Sequence, residues 1–183
     1  LNSSPDLAKA YHRYAIHFGE LSEEEARKWP ALMKIIEEKV KPQRLAQKRE
    51  IRARYWWRYG ETTPALFSAI DGLDRVLVNA LYSTHLSFAF LDSKMIFSNK
   101  LNVMPLRTYS AFGNLQRRVH EIWARFFSST LKDDLAYAPS DCFETFPFPV
   151  SWETDPKLEV IGKSYYELRT DIMQRARHGL RSE

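Results

Sequence analysis

The sequence predicts an α+β fold, in which a small, mostly antiparallel sheet packs with several helices and is flanked by helical N-terminal and C-terminal extensions. Short runs that alternate large and small side chains lie between residues 75 and 104, as in half-buried strands. Apolar residues at helical spacing lie on both sides of these runs. The chain has 183 residues, of which 44% are hydrophobic and six are glycine. This composition is typical of a globular protein and excludes a disordered or fibrous chain.

The N-terminal part of the chain is predicted to be helical. Ser22 and Glu25 have the spacing of a capping box, so a short helix should begin after Ser22. Pro30 should end this helix or begin the next one, which carries apolar residues at helical spacing, namely Leu32, Ile35, Ile36 and Val40. Residues 43–58 contain neither glycine nor proline, and we expect them to form one further helix after Pro42.

Positive charge is concentrated in residues 39–58, here called the basic segment, which contain eight basic residues and one acidic residue. Since the net charge of the whole chain is +4, this segment carries +7 and the other 163 residues carry −3. One-sided positive charge is typical of a surface that binds a polyanion, although many charged helices serve only solubility. The aromatic side chains from Tyr55 to Tyr59 suit stacking on bases as well as core packing. We expect at least one of Trp56 and Trp57 to be buried.

The middle of the chain should form the sheet. A short helix is predicted to begin at Pro64, with Thr63 as its N-cap, and to run to about Gly72. Four strands should follow it, at residues 75–78, 86–91, 95–97 and 101–104. The sequence Asp92-Ser93-Lys94 is expected to form a hairpin turn between the second and the third of them.

Two amphipathic helices and a proline-rich segment complete the prediction. One helix should run from Tyr109 to Phe127 with an apolar face of Phe112, Leu115, Val119, Ile122, Trp123 and Phe126. Residues 137–149, here called the strap, contain too many prolines for a helix and should be extended, with their aromatic side chains on the core. A C-terminal helix is predicted from an apolar seam of Leu158, Ile161, Tyr165, Leu168, Ile172 and Ala176. The chain is therefore divided into residues 1–60, 61–150 and 151–183.

Motifs of known active sites are absent from the sequence. There is no glycine-rich phosphate loop, no nucleophile elbow and no H-E-x-x-H zinc motif. The five histidines and the single cysteine, Cys142, lack the spacing of metal ligands, and the adjacent carboxylates Asp133 and Asp134 have no base partner. No apolar run is long enough to span a membrane. We therefore expect a binding function with no catalytic residues, no metal site and no membrane partner.

Three consecutive motifs carry a resemblance to a known family. They are RVHEIWAR at residues 118–125, STLKDDL at 129–135 and YAPSDCFETFPFP at 137–149. With them, the chain resembles the C-terminal part of type IIG restriction–modification enzymes, including the type IIL subgroup, over about residues 13–149. Those enzymes fuse a nuclease, an adenine-N6 DNA methyltransferase and a target-recognition domain in one chain.

The resemblance implies a target-recognition domain, with double-stranded DNA and the methyltransferase domain of the same polypeptide as partners. The methyltransferase's Asn-Pro-Pro-Tyr/Phe motif, its glycine-rich cofactor motif and the nuclease motif are missing here. We therefore expect a non-catalytic C-terminal fragment without cofactors of its own, from a cytoplasmic parent enzyme. S-adenosylmethionine and Mg²⁺ are implied for that parent. Residues 1–60 would link this domain to the methyltransferase, and residues 61–150 would form its target-recognition core.

Under this resemblance, two sets of side chains would contact DNA. Phosphate contacts are expected from the basic segment, at Lys41, Arg44, Lys48, Arg49, Arg52, Arg54 and Arg58. Base contacts are expected from polar side chains of the sheet and its loops, at Ser83, Thr84, His85, Lys94, Asn99, Lys100 and Arg107. The alternative function is a helical spacer or protein-interaction segment of the same enzyme, without direct base contacts.

Overall fold

The computed structural model describes residues 14–131 and 134–179, without the side chains of 129–131 and 176–179. The predictions at Asp133 and for the side chain of Ala176 lie outside this description. The fold is α+β, as predicted. Two compact units divide at Asp71 and Gly72. We call the unit up to Asp71 the helical unit and the unit from Gly72 the sheet unit.

Within residues 14–71, the helical unit contains five helices and a small aromatic core. They are α1 (Glu23–Ala26), α2 (Pro30–Lys39), α3 (Lys41–Leu45), α4 (Glu50–Arg54) and α5 (Pro64–Ile70). The predicted capping box at Ser22 is confirmed, because its hydroxyl accepts from Glu25 N at 3.2 Å and the Glu25 carboxylate accepts from Ser22 N at 2.7 Å. The core consists of Phe18, Ala26, Met33, Ile36, Trp56 and Trp57.

The single helix predicted for residues 43–58 is wrong. The backbone leaves the helical conformation after α3 and is extended at Arg49, with ψ at 100°, before α4 begins. A continuous helix would place Lys48 four residues after Arg44 and four before Arg52. Like charges at this spacing repel each other, which favours a break in the helix.

The sheet unit contains two small antiparallel sheets. Its strands are β1 (Arg75–Ala80), β2 (Tyr82–Ser83), β3 (Phe88–Asp92), β4 (Leu101–Met104), β5 (Ser129–Leu131) and β6 (Asp134–Ala136). The first sheet has the order β3-β1-β4 and the second has the order β2-β6-β5. The central strand β1 is buried from Val76 to Asn79, which places the core of the unit against the first sheet. The second sheet was not predicted.

The predicted strand at residues 95–97 is also wrong. The turn at Asp92 forms, since its carboxylate accepts from Lys94 N at 2.8 Å. The chain then continues without regular structure to β4. This strand pairs with the edge of β1 that β3 does not occupy. The hairpin cannot form because side chains occupy the outer edge of β3. There Phe88 N donates to Gln116 Oε1 at 2.8 Å, and Phe90 N donates to the Tyr166 hydroxyl at 3.4 Å.

The long helix predicted from Tyr109 to Phe127 is interrupted. It forms as α6 (Tyr109–Gln116) and α7 (Arg118–Phe127), with an extended backbone at Arg117, where ψ is 155°. The interruption divides the predicted apolar face. Phe112 and Leu115 on α6 are buried, whereas α7 exposes Val119, Ile122 and Phe126, the last of them by 80%.

The strap is less extended than predicted, because Pro139–Cys142 form a short helix, α8. Its aromatic side chains do pack on the core, as expected. Phe146 is buried with its ring 4.6 Å from the His120 ring, and the rings of Phe148 and Trp152 stack at 4.2 Å. Cys142 is buried as well.

The predicted C-terminal helix forms as α9 (Pro156–Gly179), but it does not pack through its apolar seam. The apolar seam is exposed, by 64% at Ile161, 59% at Leu168 and 55% at Ile172. Gly162, Tyr166 and Arg169 face the sheet unit instead. Arg169 Nη1 donates to Phe88 O at 2.8 Å, so α9 supplies polar partners to the edge strand β3. These hydrogen bonds outweigh the apolar seam because unpaired strand groups under a helix are costly.

Candidate nucleic-acid interface

The basic segment lies on α3, on α4 and on the turns that follow each of them. Lys48, Arg49 and Arg54 are exposed, and the other predicted phosphate-binding residues, Lys41, Arg44, Arg52 and Arg58, are half-buried. Long basic side chains of this kind keep their charged ends at the surface while their stems pack. The segment therefore presents positive charge on the helical unit, although not as the one continuous helix that the sequence predicted.

Arg58 has a structural role in the helical unit. Its guanidinium donates to the carbonyl oxygens of Leu21 at 2.9 Å and Glu20 at 2.5 Å. The same group lies 5.0 Å from the Tyr55 ring and 5.4 Å from the Trp57 ring. These contacts use the donors that a phosphate would need, so we do not retain Arg58 among the phosphate contacts.

The tryptophans serve the core rather than a stacking surface. Trp56 and Trp57 are both buried, which confirms the prediction that at least one of them would be, and Trp57 Nε1 donates to Leu21 O at 3.0 Å. Lys41 Nζ lies 4.3 Å from the Trp56 ring, in a cation–π contact. Among these neighbouring aromatics, Tyr59 is exposed by 45%, and its ring lies 5.5 Å from the His17 ring.

The predicted base-contacting residues lie at two opposite ends of the first sheet. Ala80 pairs with Leu101 at one end of β1, and Arg75 pairs with Asp92 at the other. The Ala80 end carries Ser83, Thr84, His85, Asn99 and Lys100, whereas the Arg75 end carries Lys94 and Arg107. Six strand residues separate the ends by about 20 Å, so the two groups form different surfaces.

The Ala80 end contains three exposed candidates with free side chains, His85, Asn99 and Lys100. Thr84 is exposed too, but its hydroxyl donates to Asp134 Oδ1 at 2.8 Å. Ser83 is buried, and its hydroxyl donates to His85 O at 2.6 Å, which leaves it unable to reach a base.

Two charged side chains at this end, Arg125 and Asp134, were not predicted from the sequence. Arg125 Nη2 donates to Thr84 O at 2.9 Å, and Asp134 holds the Thr84 hydroxyl. Both are far from Thr84 along the chain, at separations of 41 and 50 residues. Only the pairing of β2 with β6 brings them together, and the two residues of β2 carry no recognisable strand pattern.

The Arg75 end is shaped by stacked side chains. Arg107 is exposed, and its carbonyl oxygen accepts from Arg75 Nε at 2.9 Å. The Arg75 guanidinium lies 4.0 Å from the Phe90 ring and 4.2 Å from the Tyr109 ring. Arg75 therefore packs against the aromatic rings at this end of the sheet, while Lys94 and Arg107 are exposed.

Neither a metal centre nor a membrane span is found in the part of the chain that the structure describes. Its histidine, cysteine and acidic side chains nowhere form a group of three that could hold a metal ion. None of the helices within residues 14–131 and 134–179 has the length and apolar character needed to cross a membrane.

The chain thus combines a helical unit that carries a basic surface with a sheet unit that has polar, exposed ends, in an α+β fold. Comparison with protein families identifies its family. Residues 1–150 match the family model described as "MmeI, target recognition domain", and the chain therefore belongs to this family.

The fold is also similar to a solved structure. It matches the structure of the type IIL restriction–modification enzyme MmeI in complex with DNA, with a TM-score of 0.61 and 19% sequence identity. The match covers 89% of this chain and 21% of MmeI, so the chain spans about a fifth of that enzyme's length. None of the curated proteins matches the chain.

Proposed function

We propose that this chain is the DNA target-recognition domain of a restriction–modification enzyme and that it binds duplex DNA in a sequence-specific way. The observation that carries the proposal is the basic segment, with eight basic residues and one acidic residue, in a member of this family. The similarity to an enzyme whose structure was determined with DNA supports it further. Neutralising phosphates with lysine and arginine supplies much of the affinity of such domains.

The phosphate contacts in this proposal come from the helical unit. Their side chains carry positive charge that the carboxylates of the described residues do not neutralise within ion-pair distance. Contacts of this kind fix the position of the domain on DNA without selecting a sequence. The residues that we assign to them are Lys41, Arg44, Lys48, Arg49, Arg52 and Arg54.

We assign the base contacts to the Ala80 end of the sheet. It presents His85, Asn99 and Lys100, whose exposed donors and acceptors are of the kinds that contact base edges in the major groove. Thr84 belongs to the same surface through its contact with Asp134. Lys94 and Arg107 at the opposite end are the candidates for contacts elsewhere on the duplex.

The rest of the proposal concerns the parent enzyme. We infer that it is a cytoplasmic, adenine-N6-specific DNA methyltransferase with restriction activity, which defends its host against phage. Its methyltransferase domain would be the partner of this chain within one polypeptide. S-adenosylmethionine and Mg²⁺ would be bound by segments outside these 183 residues.

Salt dependence of duplex binding tests the proposed function. We expect affinity to fall steeply between 50 and 200 mM salt, and the double substitution Lys48→Glu, Arg49→Glu to weaken binding to all sequences alike, because lost phosphate contacts carry no sequence information. Fluorescence anisotropy with two unrelated duplexes measures both effects.

The matched control is Lys157→Glu, an equal change per residue at an exposed position in the first turn of α9, where an acid is favoured. This variant should bind as the unchanged chain does. Absence of duplex binding at low salt, or an equal loss in the control, would count against the function. The variant Lys100→Ala should instead change the ratio of the affinities for the two duplexes.

A second candidate function is supported by the exposed seam of α9. Ile161, Tyr165, Leu168 and Ile172 form an apolar stripe at helical spacing on the outer face of the helix. A stripe of this kind is typical of a surface that another helix covers. We propose that it contacts another part of the same enzyme, and polar substitutions along it test this without disturbing the buried face.

A further inference from the structure

A small cavity lies within the basic segment, between α4 and the turn that follows it. Its volume is about 140 Å³, several times the roughly 30 Å³ that a water molecule occupies in the liquid. The residues that line it include Arg44, Arg52, Tyr55, Tyr59, Gly60 and Thr62. The cavity therefore has room for a small anion and is bordered by positively charged groups and hydroxyl groups.

Two guanidinium groups converge on one point in this cavity, above the Cα atom of Gly60. The position that a Cβ atom would take on Gly60 lies 3.4 Å from Arg52 Nε, 3.7 Å from Arg52 Nη2 and 3.8 Å from Arg44 Nη1. Because these nitrogen atoms all lie within 3.8 Å of one position, the two guanidinium groups are close enough together for one phosphate in the cavity to accept from both. Planar guanidinium groups are well suited to hold the oxygens of a phosphate in this way.

The two arginines are not neutralised by the part of the protein that the structure describes. Neither takes part in an ion pair there, and Arg52 Nη1 has one side-chain partner, Gln47 Oε1, at 3.4 Å. Both are half-buried, so solvent screens them less than it screens Lys48 and Arg49. Two partly desolvated cations placed together repel each other, and an anion between them would relieve this repulsion.

Gly60 leaves open the space beside the guanidinium groups of Arg44 and Arg52, because it has no side chain. Its φ angle lies outside the left-handed region, so the backbone there does not require glycine. A methyl group would meet the two guanidinium groups at ordinary van der Waals distances and would occupy the space between them. The absence of a side chain at Gly60 therefore keeps space open in the cavity and is not required by the backbone of the turn.

We propose that Arg44, Arg52 and Gly60 form a pocket that binds one phosphate group of the DNA backbone. This proposal rests on the DNA-binding function proposed above and gives these two arginines a different role from Lys48 and Arg49. The pocket holds one phosphate at a defined position and so sets the register of the domain on the duplex. The exposed residues attract DNA without fixing its position.

A double-mutant cycle separates the two roles. We expect Arg44→Gln and Arg52→Gln each to weaken duplex binding by about tenfold, and the double variant to be little weaker than either, because both residues serve one phosphate. Lys48→Gln and Arg49→Gln should give smaller losses that add. Gly60→Ala should also weaken binding by about tenfold with an unchanged melting temperature. Anisotropy and thermal melting of the 183-residue chain measure these effects.

Thermal melting with inorganic phosphate tests anion binding by the pocket without DNA. Phosphate should raise the melting temperature of the unchanged chain relative to chloride at equal ionic strength, and Arg44→Gln, Arg52→Gln and Gly60→Ala should each abolish the rise. If no duplex binds at all, the proposed function fails, and the pocket then stands as an anion site if this rise is seen.

Two other results would overturn the assignment of the pocket to a phosphate of the DNA backbone. If salt-dependent DNA binding persists but losses at Arg44 and Arg52 simply add, or Gly60→Ala binds normally, the pocket does not hold a backbone phosphate and the proposed function is unaffected. If phosphate stabilises the chain while the three variants bind DNA normally, the ligand is a free phosphate, and the assignment to the DNA backbone is wrong.

Discussion

His120 is a buried histidine at the contact between α7 and the strap. Its Nε2 lies 3.0 Å from the Tyr137 hydroxyl, and its Nδ1 has no hydrogen-bond partner in the described structure. Burial, and to a smaller extent the nearby charge of Arg117, lowers the pKa of His120 to about 4. The imidazole is therefore neutral at neutral pH, and its protonation opposes the folded state.

The pH dependence of stability should report this residue. The pKa of a histidine is about 6.5 in the unfolded chain and is lower in the folded one, so the stabilisation is complete above pH 6.5 and is lost as the pH falls towards 4. The full loss is roughly 3 kcal/mol. Urea unfolding of the unchanged chain and of His120→Leu between pH 7.5 and 4 measures it.

The variant His120→Leu should lack this part of the pH dependence, whereas His85→Leu, at an exposed histidine, should keep it. Equal pH dependence in the unchanged chain and in His120→Leu would show that the protonation of His120 does not limit stability. Carboxylates that titrate in the same range cancel in the comparison, since all three chains contain them.

Single residues were predicted well where size alone decides and poorly where a distant partner decides. The sequence predicted that at least one of Trp56 and Trp57 would be buried, as large aromatic side chains tend to be, and both are. The burial of Ser83 and the structural bonds of Arg58 depend on partners that the fold supplies. A polar residue next to a strand is equally compatible with a surface contact and with a buried turn.

At the scale of the element, the packing of α9 on α6 depends on Gly162. A Cβ atom there would lie 2.0 Å from the carbonyl oxygen of Tyr109 and 2.6 Å from its carbonyl carbon. Ser110 N, in the first turn of α6, donates to the Glu159 carboxylate of α9 at 2.8 Å. The two helices are thus close enough for backbone contact, and only glycine fits at the crossing.

Gly162→Ala should therefore lower the free energy of unfolding by about 3 kcal/mol, because the clash is with backbone that cannot move without separating the helices. Gly113→Ala is the matched control, since its Cβ would lie 3.4 Å from Gly162 Cα, an ordinary contact. It should change stability by less than about 1 kcal/mol. Similar effects of both substitutions in urea unfolding would contradict this account of the crossing.

Most helices were predicted from the sequence, whereas two of their interruptions were not. The apolar period from Phe112 to Phe126 continues across Arg117 without a glycine or proline to mark the break. The seam of α9 has the spacing of a buried face, yet Arg169 and Tyr166 decide which side packs by bonding to β3. Periodicity identifies a helix, but it does not identify the neighbour to which the helix must donate hydrogen bonds.

At the scale of the whole molecule, the segregation of positive charge into one part of the chain was predictable from the sequence. The basic segment lies entirely within the helical unit, as a count along the sequence allows. The two compact units divide at Asp71 and Gly72, and no composition change marks this position. The candidate base contacts separate into two surfaces because the strand order places them at opposite ends of the first sheet. This order is not evident from the sequences of the individual strands.

The exposed stripe of α9 predicts the behaviour of the molecule in solution. We expect the isolated chain to self-associate with rising concentration, and the triple variant Ile161→Gln, Leu168→Gln, Ile172→Gln to stay monomeric at similar thermal stability. Val150→Gln, which removes an isolated valine exposed by 94%, should not change self-association. Sedimentation velocity measures this, and an unchanged monomer at all concentrations would argue against a docking role for the stripe.

The bonds between α9 and the outer edge of β3 also bear on aggregation. An uncovered edge strand offers its peptide groups to any other chain, and the sequence Phe88-Ala89-Phe90-Leu91 is apolar enough to pair with a copy of itself. Gln116, Tyr166 and Arg169 already bond to Phe88 N, Phe90 N and Phe88 O, respectively. The C-terminal helix thus opposes the addition of strands from other molecules to this edge. This is a reason to keep it in any shortened or recombined version of this domain.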